Sequence, residues 1–146
     1  MNYNIKQITA NKTYEIRQPI LRTGQPIETC FFEGDNLETT YHLGIFSEEK
    51  LVGVSSFFKN NNSLFTISSQ YQLRGMAILK NYQKHGLGRD ILKQGEQMLK
   101  LKNVNLIWCN AREVAINFYA KNGYQIIGDP FNIKDIGLHF VMYKSL

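Results

Sequence analysis

The stretch Gln83-Lys-His-Gly-Leu-Gly88 decides how this chain is read, because it stands where an extended apolar segment hands over to an amphipathic helix. Before it, Tyr71-Gln-Leu-Arg-Gly-Met-Ala-Ile-Leu79 reads as a strand. After it, Leu87, Ile91, Leu92, Met98 and Leu99 recur at helical spacing and predict a helix over about 87 to 101. Two glycines let the backbone approach a ligand closely, and the first-turn N–H groups of a helix have no partners within it. With the helix dipole added, this geometry suits phosphate.

The charges agree with that reading. From Lys80 to Lys102, six basic residues (Lys80, Lys84, Arg89, Lys93, Lys100 and Lys102) face only Asp90 and Glu96, a surplus of +4 out of the chain's +5. From Thr23 to Glu49 the sign reverses: Glu28, Glu33, Asp35, Glu38, Glu48 and Glu49 occur with no Lys or Arg. The chain is thus polar in charge rather than uniformly basic, which favours a small polyphosphate ligand over a nucleic-acid duplex and its broad basic face.

A length of 146 residues with 43% hydrophobic residues implies one globular domain, residues 1–146. No apolar run reaches the roughly 20 residues of a membrane helix. The start, Met1-Asn-Tyr-Asn-Ile-Lys6, lacks an apolar signal core, so the expected compartment is the cytoplasm. Cys30 and Cys109 are then expected as free thiols, and neither has metal-ligand spacing, so no metal is expected.

Around the loop, Asn4 to Ile8 predicts a strand and Tyr14 to Arg22 a helix limited by Pro19. Gly24 to Thr40 reads as irregular. His42 to Phe46 and Leu51 to Phe58 form a hairpin about Ser47-Glu-Glu-Lys50. Val104 to Cys109 is a strand, Val114 to Tyr119 marks a helix stopped by Gly123, and Tyr124 to Gly128 and Leu138 to Tyr143 close the chain as strands. The sum is a mixed, mostly antiparallel twisted α/β sheet of about seven strands with flanking helices. Gly75 inside its strand marks a bulge, a close backbone approach, or simply packing. If it is a bulge, Met76, Ala77 and Ile78 could pair with an extended ligand as with another strand.

Other glycine-loop chemistries fail on specifics. No Gly-x-x-x-x-Gly-Lys-Ser/Thr run exists, and Ile91 stands where a dinucleotide fingerprint needs its third glycine. Gln83-x-x-Gly86-x-Gly88 instead resembles the acetyl-CoA pyrophosphate loop of the GNAT superfamily of N-acetyltransferases. Asn110-Ala-Arg-Glu-Val-Ala115-Ile-Asn-Phe118-Tyr119-Ala-Lys-Asn-Gly123-Tyr124 is similar to that family's helix-and-turn motif. Tyr71-Gln-Leu-Arg-Gly-Met-Ala77 and Ile136-Gly-Leu-His139 also resemble the ElaA-like bacterial branch.

The resemblance implies a GNAT fold with a bulged, splayed central strand, and acetyl-CoA as co-substrate. It implies that Met76, Ala77 and Ile78 pair with pantetheine, and that the loop residues Gln83, Lys84, His85, Gly86, Leu87, Gly88 and Arg89 serve the pyrophosphate. It implies Tyr119 as the donor of a proton to the departing thiolate. Many members carry Asn three residues before the motif alanine; here Arg112 stands there, which leaves Asn110 or Asn117 for CoA.

The implied reaction is direct transfer of an acetyl group to a primary amine in a ternary complex. Aligning two substrates supplies roughly 7–11 kcal/mol of such a barrier. The expected base is His139, with His42, Glu28, Glu33 or a water chain as rivals, since the bulged strand holds no acid. Glu28 and Glu33 in the acidic stretch are expected to draw a cationic small-molecule or peptide amine, and Arg74 to hold a carboxylate. A homodimer stays open. The rival from another class is a non-catalytic acyl-CoA sensor of the same fold; a nucleic-acid-binding module ranks third.

Overall fold

Alternating and apolar runs become strands wherever a neighbour can take their backbone groups, and here they do so seven times. A computed structural model describes residues 2–146. Its strands are β1 (Tyr3–Ile8), β2 (Tyr41–Ser47), β3 (Lys50–Lys59), β4 (Gln70–Ile78), β5 (Leu106–Arg112), β6 (Gln125–Ile133) and β7 (Gly137–Ser145). Its α-helices are α1 (Ala10–Leu21), α2 (Leu87–Leu101) and α3 (Ile116–Lys121). The sheet order is β1-β2-β3-β4-β5-β7-β6. The β1–β2, β2–β3, β5–β7 and β6–β7 pairs are antiparallel, whereas β4 and β5 pair in parallel through Gln70–Leu106, Tyr71–Ile107 and Gln72–Trp108. The mixed, mostly antiparallel seven-stranded sheet expected from the sequence is therefore present.

Contacts divide the chain into two compact units. One takes the chain up to Phe58 together with Leu73–Met98; the other takes Lys59–Gln72 and Leu99–Leu146. In the first, Ile16, Val54 and Ala77 form a buried cluster edged by Ile8, Ile20, Leu21, Leu51 and Leu79. The helix α2 buries Leu87, Ile91 and Leu92, and Gly95 gives up its side chain because the Phe57 ring lies against it. Burying such side chains is worth roughly 1.5–3 kcal/mol each. In the second unit, Leu106, Trp108 and Val141 are packed by Phe65, Ile127, Phe131 and Tyr143. The indole N–H of Trp108 donates to the Asn60 carbonyl at 2.9 Å.

Several boundaries differ from expectation for identifiable reasons. The helix α1 begins at Ala10 and runs through Pro19, ending two residues later at Leu21. Pro19 sits so near the C-terminus that its ring disturbs only the last turn, and Thr23 Oγ1 donates to the proline carbonyl at 2.7 Å. The segment expected as irregular contains one 3₁₀ turn, Ile27–Cys30. The strand β5 starts at Leu106 rather than Val104, because the Val104 N–H instead closes the preceding helix on the Leu99 carbonyl at 3.0 Å. The strand β6 extends past Gly128 to Ile133 and carries Pro130. Its register shifts between Ile127 and Phe131, and β6 is the last strand in the order, where a missing donor is tolerated. No helix among the described residues is long and apolar enough to cross a membrane.

Candidate active site

In the first unit, β4 leads to the glycine loop. Gly75 has φ +68°, and a Cβ there would lie 2.9 Å from Phe32 Cε2 and 3.2 Å from Arg17 Nε. The glycine is thus required twice, by a left-handed backbone and by close approach of Phe32 and Arg17. Ala77 is buried, while Met76 and Ile78 are half-buried. The Gln83 side-chain amide donates to the Ile78 carbonyl at 2.9 Å, tying the loop's first motif residue back to the strand end. Lys84 (φ +67°) and Gly86 (φ +79°) take left-handed conformations that curl the loop. The Gly86 carbonyl accepts from the Asp90 N–H at 3.1 Å, which makes Gly86 the residue that opens α2. Lys84, His85, Gly86 and Arg89 are exposed, and Leu87 is buried as the anchor. The result is a cationic, glycine-shaped helix N-terminus, the kind of cradle a pyrophosphate fits.

The same unit holds a polar network that sequence reasoning missed. Arg17 is wholly buried and forks onto Asp35, Nη1 to Oδ2 at 2.7 Å and Nη2 to Oδ1 at 3.0 Å. It also donates to the Cys30 carbonyl at 2.8 Å and to Ser56 Oγ at 2.9 Å. His42 continues the network, with Nδ1 2.7 Å from Ser56 Oγ and Nε2 2.8 Å from the Asp35 carbonyl. A carbonyl only accepts, so the His42 proton lies on Nε2 and Nδ1 receives the Ser56 hydroxyl. Both ring nitrogens are engaged. Asp35, part of the acidic stretch, is buried against Arg17 rather than facing a cationic acceptor, whereas Glu28 and Glu33 are exposed. A lone arginine in an otherwise apolar helix face, Ile16-Arg17 with Ile20, was the available signal.

Burial, aided by the charge of Arg17, holds the His42 pKa below the ordinary histidine value, although Asp35 opposes this. The folded chain then binds fewer protons than the unfolded chain below that ordinary value. Stability should be complete above about pH 6.5 and decline as pH falls through the lowered folded value. Urea midpoints measured at about pH 7.5 and about pH 5.5 should differ less for His42→Gln than for the natural chain.

Arg74 is half-buried, with its guanidinium 4.7 Å from the Phe32 ring centre and 5.3 Å from that of Phe58. Burial and then Arg17 lower its pKa, Asp35 and Glu33 pulling the other way.

In the second unit, α3 presents Tyr119, whose hydroxyl shares a side-chain hydrogen bond with the Cys109 thiol on β5. Its ring meets Phe118 at 5.2 Å and Tyr124 at 5.4 Å between centres. Burial first, then Cys109, raises the Tyr119 pKa well above that of an ordinary tyrosine. Burial likewise pushes the Cys109 thiol to about 12, so that it is an inert partner and not a nucleophile. Gly123 (φ +93°) ends the helix, with the Tyr124 N–H on the Tyr119 carbonyl at 3.0 Å.

His139 is buried on β7 opposite Arg112, its Nδ1 donating to the Gly137 carbonyl at 2.8 Å. That bond sets the tautomer: in the neutral ring the proton is on Nδ1 and the lone pair on Nε2. His139 lies against Phe131 at 5.9 Å, whereas Tyr119 belongs to the Cys109 neighbourhood three residues back along β5. Asn110 on β5 and Asn117 on α3 are both exposed.

Known proteins share this fold. The model of the Acetyltransferase (GNAT) family matches residues 9–124. YitI of Bacillus subtilis (strain 168), described as an uncharacterized N-acetyltransferase, is 42% identical over 142 residues, covering 97% of this chain and 95% of that protein. Among solved structures, Escherichia coli ElaA superposes with a TM-score of 0.79 at 10% identity, covering 98% of this chain and 99% of that one. The PaiA N-acetyltransferase of Thermoplasma acidophilum, solved with coenzyme A, superposes with a TM-score of 0.72 at 17% identity over the full length of both chains.

Proposed function

The chain belongs to the GNAT family of acetyltransferases, and from that premise we propose that it moves an acetyl group from acetyl-CoA to a primary amine by direct transfer in a ternary complex. The observation that carries the donor side is the loop Gln83–Arg89, cationic, exposed and opened by two left-handed residues at the head of α2. Acetyl-CoA supplies the activated acetyl group as a thioester. In this reading Lys84, His85, Gly86, Leu87, Gly88 and Arg89 offer backbone N–H groups and positive charge to the pyrophosphate, and Gln83 holds the loop to β4. Met76, Ala77 and Ile78 receive pantetheine along their backbone, and Asn110 or Asn117 serves CoA.

Tyr119 donates to the departing sulfur, and His139, through Nε2, takes the amine's proton. Glu28 and Glu33 draw the amine, and Arg74 steadies it. The family match runs through both compact units, which supports one acetyltransferase domain over residues 1–146. Free, buried Cys30 and Cys109 suit a reducing cytoplasm.

The test is release of CoA thiol from acetyl-CoA with a panel of primary amines. Amine-dependent release is expected. Tight acetyl-CoA binding without release by any amine would instead favour a sensor.

A further inference from the structure

We propose that Arg74 is the receptor for a carboxylate carried by the acceptor, so that the substrate class is an amino acid-like amine rather than a polyamine. The inference rests on the acetyl-transfer reading above.

Three guanidinium groups gather on one ring: Arg17, Arg74 and Arg22 lie 3.9, 4.7 and 5.5 Å from the Phe32 centre. Two of them are committed. Arg17 forks onto Asp35, and Arg22 donates to the carbonyls of Thr29 at 3.3 Å and Leu21 at 3.0 Å. Asp35 is committed as well, since its Oδ2 also accepts from the Phe32 N–H at 2.9 Å. Arg74 alone has neither a hydrogen-bond acceptor nor an ion-pair carboxylate among the described residues, although it is half-buried. Its guanidinium carbon stands over the rings of Phe32 and Phe58, which offer no oxygen acceptor, so its N–H groups remain to recruit one.

A second observation points the same way. Arg17 Nε is buried without an acceptor and looks toward Gly75, the residue after Arg74. A buried cationic cluster with an orphaned donor and an unpaired guanidinium lacks an anion. A planar fork suits a planar carboxylate, bound through two parallel hydrogen bonds. Arg74 stands two residues before Met76, where the donor strand of the transfer reading begins. It lies on the N-terminal side of left-handed Gly75, apart from the proposed pyrophosphate loop. Exposed Glu33, which acts on Arg74 electrostatically, supplies a negative charge for the ammonium end of the same molecule.

The experiment compares kcat/KM for matched pairs of amines, each amino acid beside its decarboxylated counterpart, in the natural chain and in Arg74→Gln and Arg74→Lys. Melting temperatures and acetyl-CoA dissociation constants are measured on the same samples. The carboxylate-bearing partner should be preferred about 10- to 100-fold, and both variants should shrink that preference toward unity while acetyl-CoA affinity holds. Equal or better use of the decarboxylated amines would overturn the proposal. So would loss of acetyl-CoA affinity in well-folded variants, because the guanidinium would then serve the donor. If no amine releases thiol, the transfer reading fails separately. Titration of N-acetylated amino acids onto the CoA-saturated protein then decides: binding that Arg74→Gln abolishes supports the carboxylate receptor, and no binding rejects it.

Discussion

Tyr119→Phe is expected to lower kcat about 10²- to 10⁴-fold while the acetyl-CoA dissociation constant changes less than about twofold. The substitution keeps the ring that packs on Phe118 and Tyr124 and removes only the hydroxyl. Burial and Cys109 hold that hydroxyl protonated well past neutrality, so every molecule carries the donor form at working pH. A thiol ordinarily ionises near 8.5, below this tyrosine, so outright transfer of the proton to a solvated thiolate would run uphill. In the proposed transfer, Tyr119 thus acts first as a hydrogen-bond donor to sulfur as charge develops there, and its proton follows once the sulfur is shielded from water. Its present hydrogen bond is already to a sulfur, that of Cys109. Titration of Tyr119 should then contribute no alkaline fall in rate below about pH 10. An unchanged kcat in the Phe variant, measured at saturating donor, would remove Tyr119 from the chemistry.

Arg17→Met should cost about 3–5 kcal/mol of unfolding free energy, a large share of the 5–15 kcal/mol that typical domains possess. The loss comes from Asp35, which stays buried with its counter-charge gone, and from the Cys30 carbonyl and Ser56 hydroxyl, which lose a donor. Arg17 bridges α1, the 3₁₀ turn Ile27–Cys30, the segment holding Asp35 and strand β3, so the loop bearing Glu28 and Glu33 should loosen with it. In Arg17→Met/Asp35→Leu the isolated charge is absent, and about half or more of the loss should return, as expected when a buried pair is replaced by apolar groups. Urea unfolding with a constant slope reads both effects. A loss below about 1 kcal/mol for the single variant would show that water reaches Asp35 and that the pair is not a buried staple.

The shape of the glycine loop was legible because its determinants are local: two glycines, a change from strand to helix periodicity, and a run of positive charge lie within one short segment. The closing turn of α3 was legible for the same reason, with Gly123 adopting the left-handed conformation that only its position called for. The Arg17–Asp35–Ser56–His42 network was not legible. Its members lie between 7 and 39 residues apart in pairs, and each is an ordinary polar residue until the fold buries it. Asp35 shows the difficulty best, since in sequence it is one more charge in an acidic loop, and in the fold it is the buried partner of Arg17. The pairing of Tyr119 with Cys109 joins a helix to a strand, which no periodicity reveals. Gly75 fell between these cases: the strand interruption was visible, but the side chains of Phe32 and Arg17 that fill its place come from distant sequence.

Direct transfer within a ternary complex is tested most directly by the initial rate of CoA thiol release over a matrix of acetyl-CoA and amine concentrations. Double-reciprocal lines that intersect, with no release in the absence of amine and no acetyl group left on the intact chain, are the expected result. Parallel lines accompanied by an acetylated protein, or thiol release indifferent to amine, would contradict it.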